Sequence, residues 1–220
     1  MRDYLTTRNF AAAAGLGLLA ALLSLPRLIT AGTNVMFFFP AAWVSMTLIG
    51  GAATAWGKNI GRAQLWIEPE RLQMGFAIVI CSATALAVFR TVFADPAMLN
   101  AINHSPAAMP SRNIHLPRQP GMIIALMLWA ASFETVFFRA GSICFFGRLT
   151  GRKNLSIFMA ALLRTWVSAF QMNSLDIAAP MPCLLLSAVQ SITAGTVFVY
   201  FGLVPAAVFS ALIEARLLFL

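Results

Sequence analysis

The stretch MIIALMLWAASFETVFFRAGSICFF, Met122 to Phe146, decides the fold. A hydrocarbon core about 30 Å thick is crossed by about 20 mostly apolar residues in an α-helix, and this run is long and apolar enough to do so. Inside it stand a carboxylate, Glu134, and a guanidinium, Arg139, within SFETVFFRAG. A charge at the centre of a membrane helix costs about 2.5–3.5 kcal/mol on insertion scales, so both side chains are expected to face a bundle interior and to serve a purpose there.

Working outward, similar apolar runs cover Phe10 to Leu25, Val35 to Trp56, Met74 to Phe93, Leu155 to Met172, Cys183 to Phe201 and Val204 to Leu220. The reading is an all-α polytopic transmembrane bundle of about seven helices, the last two joined tightly at YFGLVP. It divides into N-terminal transmembrane helices over 1–93, an extracytoplasmic loop over 94–121 and a C-terminal core over 122–220. The loop ADPAMLNAINHSPAAMPSRNIHLPRQP is rich in Pro and Asn, as a solvated connection should be. Its two histidines, His104 and His115, fit no metal-binding spacing and read as ordinary loop residues. The N-terminal charged start and short apolar run have the outline of a signal peptide. With no small-x-small cleavage site before polar sequence, a retained helix is the expectation.

Composition agrees. Of 220 residues, 60% are hydrophobic and 10% charged, against about 25% charged in soluble domains, and the mean hydropathy is +0.82. The net charge of +8 does not point to nucleic acid, because the basic residues punctuate apolar runs and build no basic face. They orient the bundle instead. Arg2, Arg8, Lys58, Arg62, Arg71, Arg148, Arg152 and Lys153 gather on one side; Arg27, Arg90, Arg112, Arg118 and Arg216 lie on or near the other. The richer side is expected to be cytoplasmic, with the N-terminus inside. Cys81, Cys144 and Cys183 fall in apolar runs and read as small hydrophobes. The 18 phenylalanines read as packing and lipid-facing residues. Trp43, Trp56 and Trp66 fall near helix ends, where indoles favour the interface. GLGLLA and IGGAATAWG offer small residues for close helix approach. No phosphate loop, nucleophile elbow or His-Glu-x-x-His helix is present.

Depth along each helix follows from a rise of about 1.5 Å per residue. Glu134, Arg164 and Glu214 then fall near the bilayer midplane on three different helices, and opposite charges at equal depth should find each other. Glu134 with Arg164 is the first expected pair. Arg139, five positions after Glu134, is about 140° around an α-helix from it. It is expected to reach Glu214 or to snorkel. Two roles stay open: a buried ion-pair network that fixes helix register, or Glu134 as a general base or substrate-binding group.

The segment FETVFFRAG, the basic connection GRLTGRKN, the helix after it and the ending TAGTVFVYFGLVPAAVFSALIEA together resemble the CAAX-protease and bacteriocin-processing (CPBP) family of intramembrane metalloproteases. The family carries Glu-Glu-x-x-x-Arg, then Phe-x-x-x-His on the following helix, then a His-x-x-x-Asn/Asp ending. Glu134 falls on the first glutamate and Arg139 on the arginine, the two positions the resemblance implies as catalytic. Thr135 replaces the second glutamate, Trp166 and Phe170 replace the Phe and His with Gln171 just beyond, Ala211 replaces the last histidine, and Glu214 or Ala215 falls near the Asn. The resemblance implies a protease-like C-terminal core in a bacterial cytoplasmic membrane. It implies zinc as the cofactor if the activity is retained, and a membrane-embedded or prenylated peptide as partner besides the lipid bilayer. A catalytic zinc needs about three nitrogen, oxygen or sulfur ligands, and no histidine lies in any span, so Glu134, Glu214 and Gln171 would be a poor set. The expected member is therefore divergent, a pseudoenzyme, with no metal site assigned.

Such a protein should have Glu134, Arg139 and Arg164 lining a polar cavity open toward the cytoplasmic half. The alternative is a small transporter or membrane scaffold subunit with a buried charge network, in which Arg164, Glu214 and Gln171 contribute to the network or to a substrate site. It predicts ion pairs between helices without a ligand cluster.

Overall fold

Apolar runs broken by Pro, Gly and charge become seven helices among the described residues. The computed structural model describes residues 7–30, 32–56, 69–105, 116–173 and 180–219. In chain order these are α1 (Thr7–Thr30), α2 (Val35–Trp56), α3 (Pro69–Phe89, prolonged to Asn103), α4 (Pro120–Trp129, prolonged to Thr150), α5 (Lys153–Asn173), α6 (Met181–Phe201) and α7 (Leu203–Ala215, closed by a 3-10 turn Arg216–Phe219). The first six are long and apolar enough to cross a membrane. Trp66, His115 and the basic residues Arg2, Lys58, Arg62 and Arg112 lie outside the described residues.

Two helices are interrupted by π-helical stretches, Arg90–Ala94 in α3 and Ala130–Gly141 in α4. Such i→i+5 stretches occur often at functional sites. Side chains in α4 follow the same spacing: the Thr135 hydroxyl donates to the Ala130 carbonyl at 2.9 Å and the Ser142 hydroxyl to that of Phe137 at 3.0 Å.

The π turn in α3 also explains a correction. The sequence reading ends this span at Phe93 and starts a solvated loop at Ala94, whereas the helix runs on through Asp95–Asn103. Pro96 looks like a break, but it sits in the first turn of the restarted α-helix, where a missing N–H costs little. Ala94, Met98 and Ile102 recur every four residues and are buried, which makes this turn part of the core.

Packing relies on small residues where backbones meet. A Cβ on Gly17 would lie 2.6 Å from the Thr47 backbone nitrogen, so α1 and α2 approach through the glycine of GLGLLA. Gly202, at φ 89°, turns the chain between α6 and α7 within YFGLVP, a conformation that side chains with a Cβ disfavour. Hydroxyl pairs tie further helices together: Ser24 with Ser132 at 3.2 Å, Thr135 with Ser210 at 3.4 Å and Ser168 with Ser187 at 3.3 Å. The outer surface is a band of exposed Phe, Leu, Ile, Met and Trp side chains, including Met36, Phe37, Trp166 and Tyr200. In water such a surface would be an aggregation liability; in lipid it is the expected one.

Candidate functional site

Burying arginine in a helix bundle demands partners, and α3, α4, α5 and α7 supply them. Glu134 on α4 meets Arg164 on α5, with Arg164 Nη2 donating to Glu134 Oε1 at 2.7 Å. Arg164 also donates through Nη1 to the Ser168 hydroxyl one turn along α5, and its Cζ lies 5.2 Å from the centre of the Phe138 ring. A guanidinium over an aromatic face gains further electrostatic stabilisation when desolvated.

Glu214 does not join that pair. It binds Arg90 Nη1 at 2.6 Å and Arg216 Nη1 at 2.9 Å. Arg216 in turn forms a two-pronged contact with Asp95, Nε to Oδ2 at 2.8 Å and Nη2 to Oδ1 at 2.9 Å, the geometry in which guanidinium and carboxylate bind most strongly. Arg90 also donates to Gln190 Oε1 on α6 at 3.2 Å and lies 3.9 Å from Asp95. One cluster thus ties α3, α6 and α7, and the other ties α4 to α5.

Arg139 departs from both placements given to it by the sequence. It neither reaches Glu214 nor snorkels: it is 2% exposed, and among the described residues it forms no ion pair. Its Nε is buried with no hydrogen-bond partner. The angular argument fails because this part of α4 is π-helical, so residues five apart stack on one side. Arg139 therefore shares a side with Glu134, whose Oε1 is engaged by Arg164.

These side chains wall a cavity of about 120 Å³. Its lining includes Arg90 and Asp95 of α3, Arg139 of α4, Arg164, Ser168 and Gln171 of α5, and Ser187, Gln190 and Ser191 of α6. Both π-helical stretches reach it, through Arg90, Ala94 and Arg139. Met98, Leu116, Met172 and Cys183 complete the wall toward the end of the bundle where α3 and α5 finish and α6 begins. That is the half assigned by the sequence to the outside, opposite to the cytoplasmic opening expected above. Glu134 stands behind Arg164 and is not in the lining.

The zinc implied by the family resemblance does not fit these residues. Among the described residues no three His, Cys, Asp or Glu side chains converge, and both Glu134 and Glu214 are engaged by guanidiniums. Phe170, on the family's histidine position, is 62% exposed on the lipid side and stacks on Trp166. A side chain there points away from Glu134.

Arg90, Asp95, Arg216 and Gln190 were not singled out by sequence as site residues. A signal did exist: Arg90 and Asp95 repeat the five-residue spacing of Glu134 and Arg139; the latter pair lies within a π-helical stretch, and the former spans one, with Asp95 the first residue after it. The apparent helix end at Phe93 hid it.

The bundle and its buried charges define an integral membrane protein of the α-helical class. Set against protein-family models, curated proteins and solved structures, the chain matches none.

Proposed function

We propose that this is a non-hydrolytic membrane protein whose interhelical ion pairs build and hold a polar binding cavity inside the bundle, as a small carrier or a scaffold subunit would require. The observation that carries the reading is the cavity itself, walled by three arginines, Arg90, Arg139 and Arg164. Ion pairs between helices, as in Glu134 with Arg164 and Asp95 with Arg216, are what this class predicts.

The second reading, a divergent CPBP-type protein, is favoured by one observation: Arg139 of FETVFFRAG faces the cavity, and Glu134 of the same motif supports it through Arg164. The two readings part on chemistry. Purified protein should carry no stoichiometric zinc and leave a prenylated peptide intact; bound zinc together with turnover would overturn the non-hydrolytic reading.

We place the N-terminal end of the bundle in the cytoplasm. Arg90 and Arg216, counted on the opposite side by sequence, are held inside the bundle by Asp95 and Glu214. Removing them from the loop count leaves the excess of Lys and Arg at the end carrying Arg148, Arg152 and Lys153, which supports this orientation.

A further inference from the structure

The cavity carries an imbalance that its own walls do not resolve. Among the described residues, three guanidiniums, Arg90, Arg139 and Arg164, line it with a single carboxylate, Asp95. Glu134, Glu214 and Arg216 stand behind them in ion pairs. Arg27 is a further guanidinium whose charge acts on Glu134 and Glu214, so positive charge is in excess. The carboxylates are engaged by Arg90, Arg164 and Arg216, and among the described residues Arg139 forms no ion pair of its own. A buried charge normally has both a counter-charge and hydrogen-bond acceptors. Arg139 is 2% exposed, with Nε unpartnered, and lines a space with room for several waters or one small anionic group.

We propose that this cavity is a binding site for a singly charged oxyanion, a carboxylate or a phosphodiester group, with Arg139 as its direct ligand. One negative charge matches the one on Arg139. A planar guanidinium suits two oxygens of one carboxylate or phosphate, which a chloride ion does not offer. Ser187, Ser191 and Gln190 on the α6 wall add hydroxyl and amide groups that can donate to further oxygens. Ser187 already shares a hydrogen bond with Ser168, so the α5 and α6 walls are set before a ligand arrives. Met98, Leu116 and Met172 make the rest of the wall apolar, which strengthens electrostatic contact by excluding water. The oxyanion could belong to a small soluble molecule or to a lipid headgroup, since both present the same chemistry. The inference deepens the cavity-binding reading and rests on it.

The test is thermal unfolding of the full chain in a neutral detergent, wild type and Arg139→Met side by side. Sodium acetate and inorganic phosphate are titrated against sodium chloride at equal ionic strength. Separately, phosphatidylglycerol is added to the micelles against a neutral-detergent control. The expected pattern is a crossing: Arg139→Met melts at or above the wild type without oxyanion, because an unpaired buried charge is gone, and below it with oxyanion, because only the wild type gains a saturable rise of several degrees. A rise with acetate or phosphate assigns a soluble source, and a rise with phosphatidylglycerol alone assigns a headgroup. Ser187→Leu, which fills the cavity and leaves Arg139 in place, should lose the rise as well, whereas Arg148→Gln at the opposite end of the bundle should keep it. A gap between wild type and both cavity variants that is the same in every condition overturns the inference. That result is distinct from zinc-dependent turnover, which would instead overturn the non-hydrolytic reading.

Discussion

Replacing Glu214 by glutamine should destabilise the bundle more than the same change at Glu134, and the reason is how many guanidiniums each carboxylate holds. Glu214 accepts from Arg90 at 2.6 Å and from Arg216 at 2.9 Å and is 6% exposed. Removing one member of a buried ion pair costs about 3–5 kcal/mol, since the remaining charge is left uncompensated. Asp95 still holds Arg216 through two hydrogen bonds, so the low end, about 3 kcal/mol, is expected for Glu214→Gln. Glu134 holds a single guanidinium, and both partners keep contact with the cavity or the surface, with side-chain exposures of 16% and 19%. Its loss is expected to cost about 1 kcal/mol, the scale measured for polar contacts between membrane helices. For a chain of this length 1 kcal/mol moves Tm by about 2–4 °C, so Glu214→Gln should lower Tm by roughly 6–12 °C and Glu134→Gln by roughly 2–4 °C. Intrinsic tryptophan fluorescence during heating in detergent reads both. Equal shifts, or a larger one at Glu134, would refute the partner-counting argument.

Further expectations follow from other parts of the bundle. Gly17→Val should cut the yield of folded protein and lower Tm, because its Cβ would press on the Thr47 backbone, whereas Gly15→Ala, with nothing within 4 Å, should be silent; detergent size-exclusion profiles distinguish them. Phe170→His should not raise zinc content measured by elemental analysis, since the new imidazole would face lipid; stoichiometric zinc would show that α5 is rotated from the described position. Reporter fusions after Gly151 should be active only in their cytoplasmic form if the basic end of the bundle is inside. Arg164→Met combined with Glu134→Met should recover part of the stability lost in Arg164→Met alone, because a buried pair replaced by apolar side chains no longer leaves a lone charge; Tm values of the two variants decide it.

Much of this architecture is legible in the sequence, and the reason is that lipid imposes a simple rule. Runs such as Val35–Trp56 and Met181–Phe201 have to be helices because the bilayer offers no other partner for backbone amides. Depth counting brought Glu134 level with Arg164, and the structure joins them at 2.7 Å. What stayed hidden is the helix geometry between charges. An angle taken from 3.6 residues per turn misplaces Arg139 relative to Glu134, because Ala130–Gly141 bonds i→i+5. Asp95 and Pro96 read as the start of a loop, which hides that Asp95 is buried and that Arg90, its side chain 29% exposed, reaches inward to Glu214. The family motif drew attention to Phe170, but the turn of α5 that faces the cavity presents Arg164, Ser168 and Gln171.

That carboxylates and guanidiniums from separate helices meet inside this bundle is tested most directly by a double-mutant cycle on Glu134→Gln and Arg164→Gln, read as unfolding free energy. The ion pair predicts a coupling of about 1 kcal/mol, within the range found for residues in contact. Additive effects, agreeing within about 0.3 kcal/mol as for residues that do not touch, would contradict it.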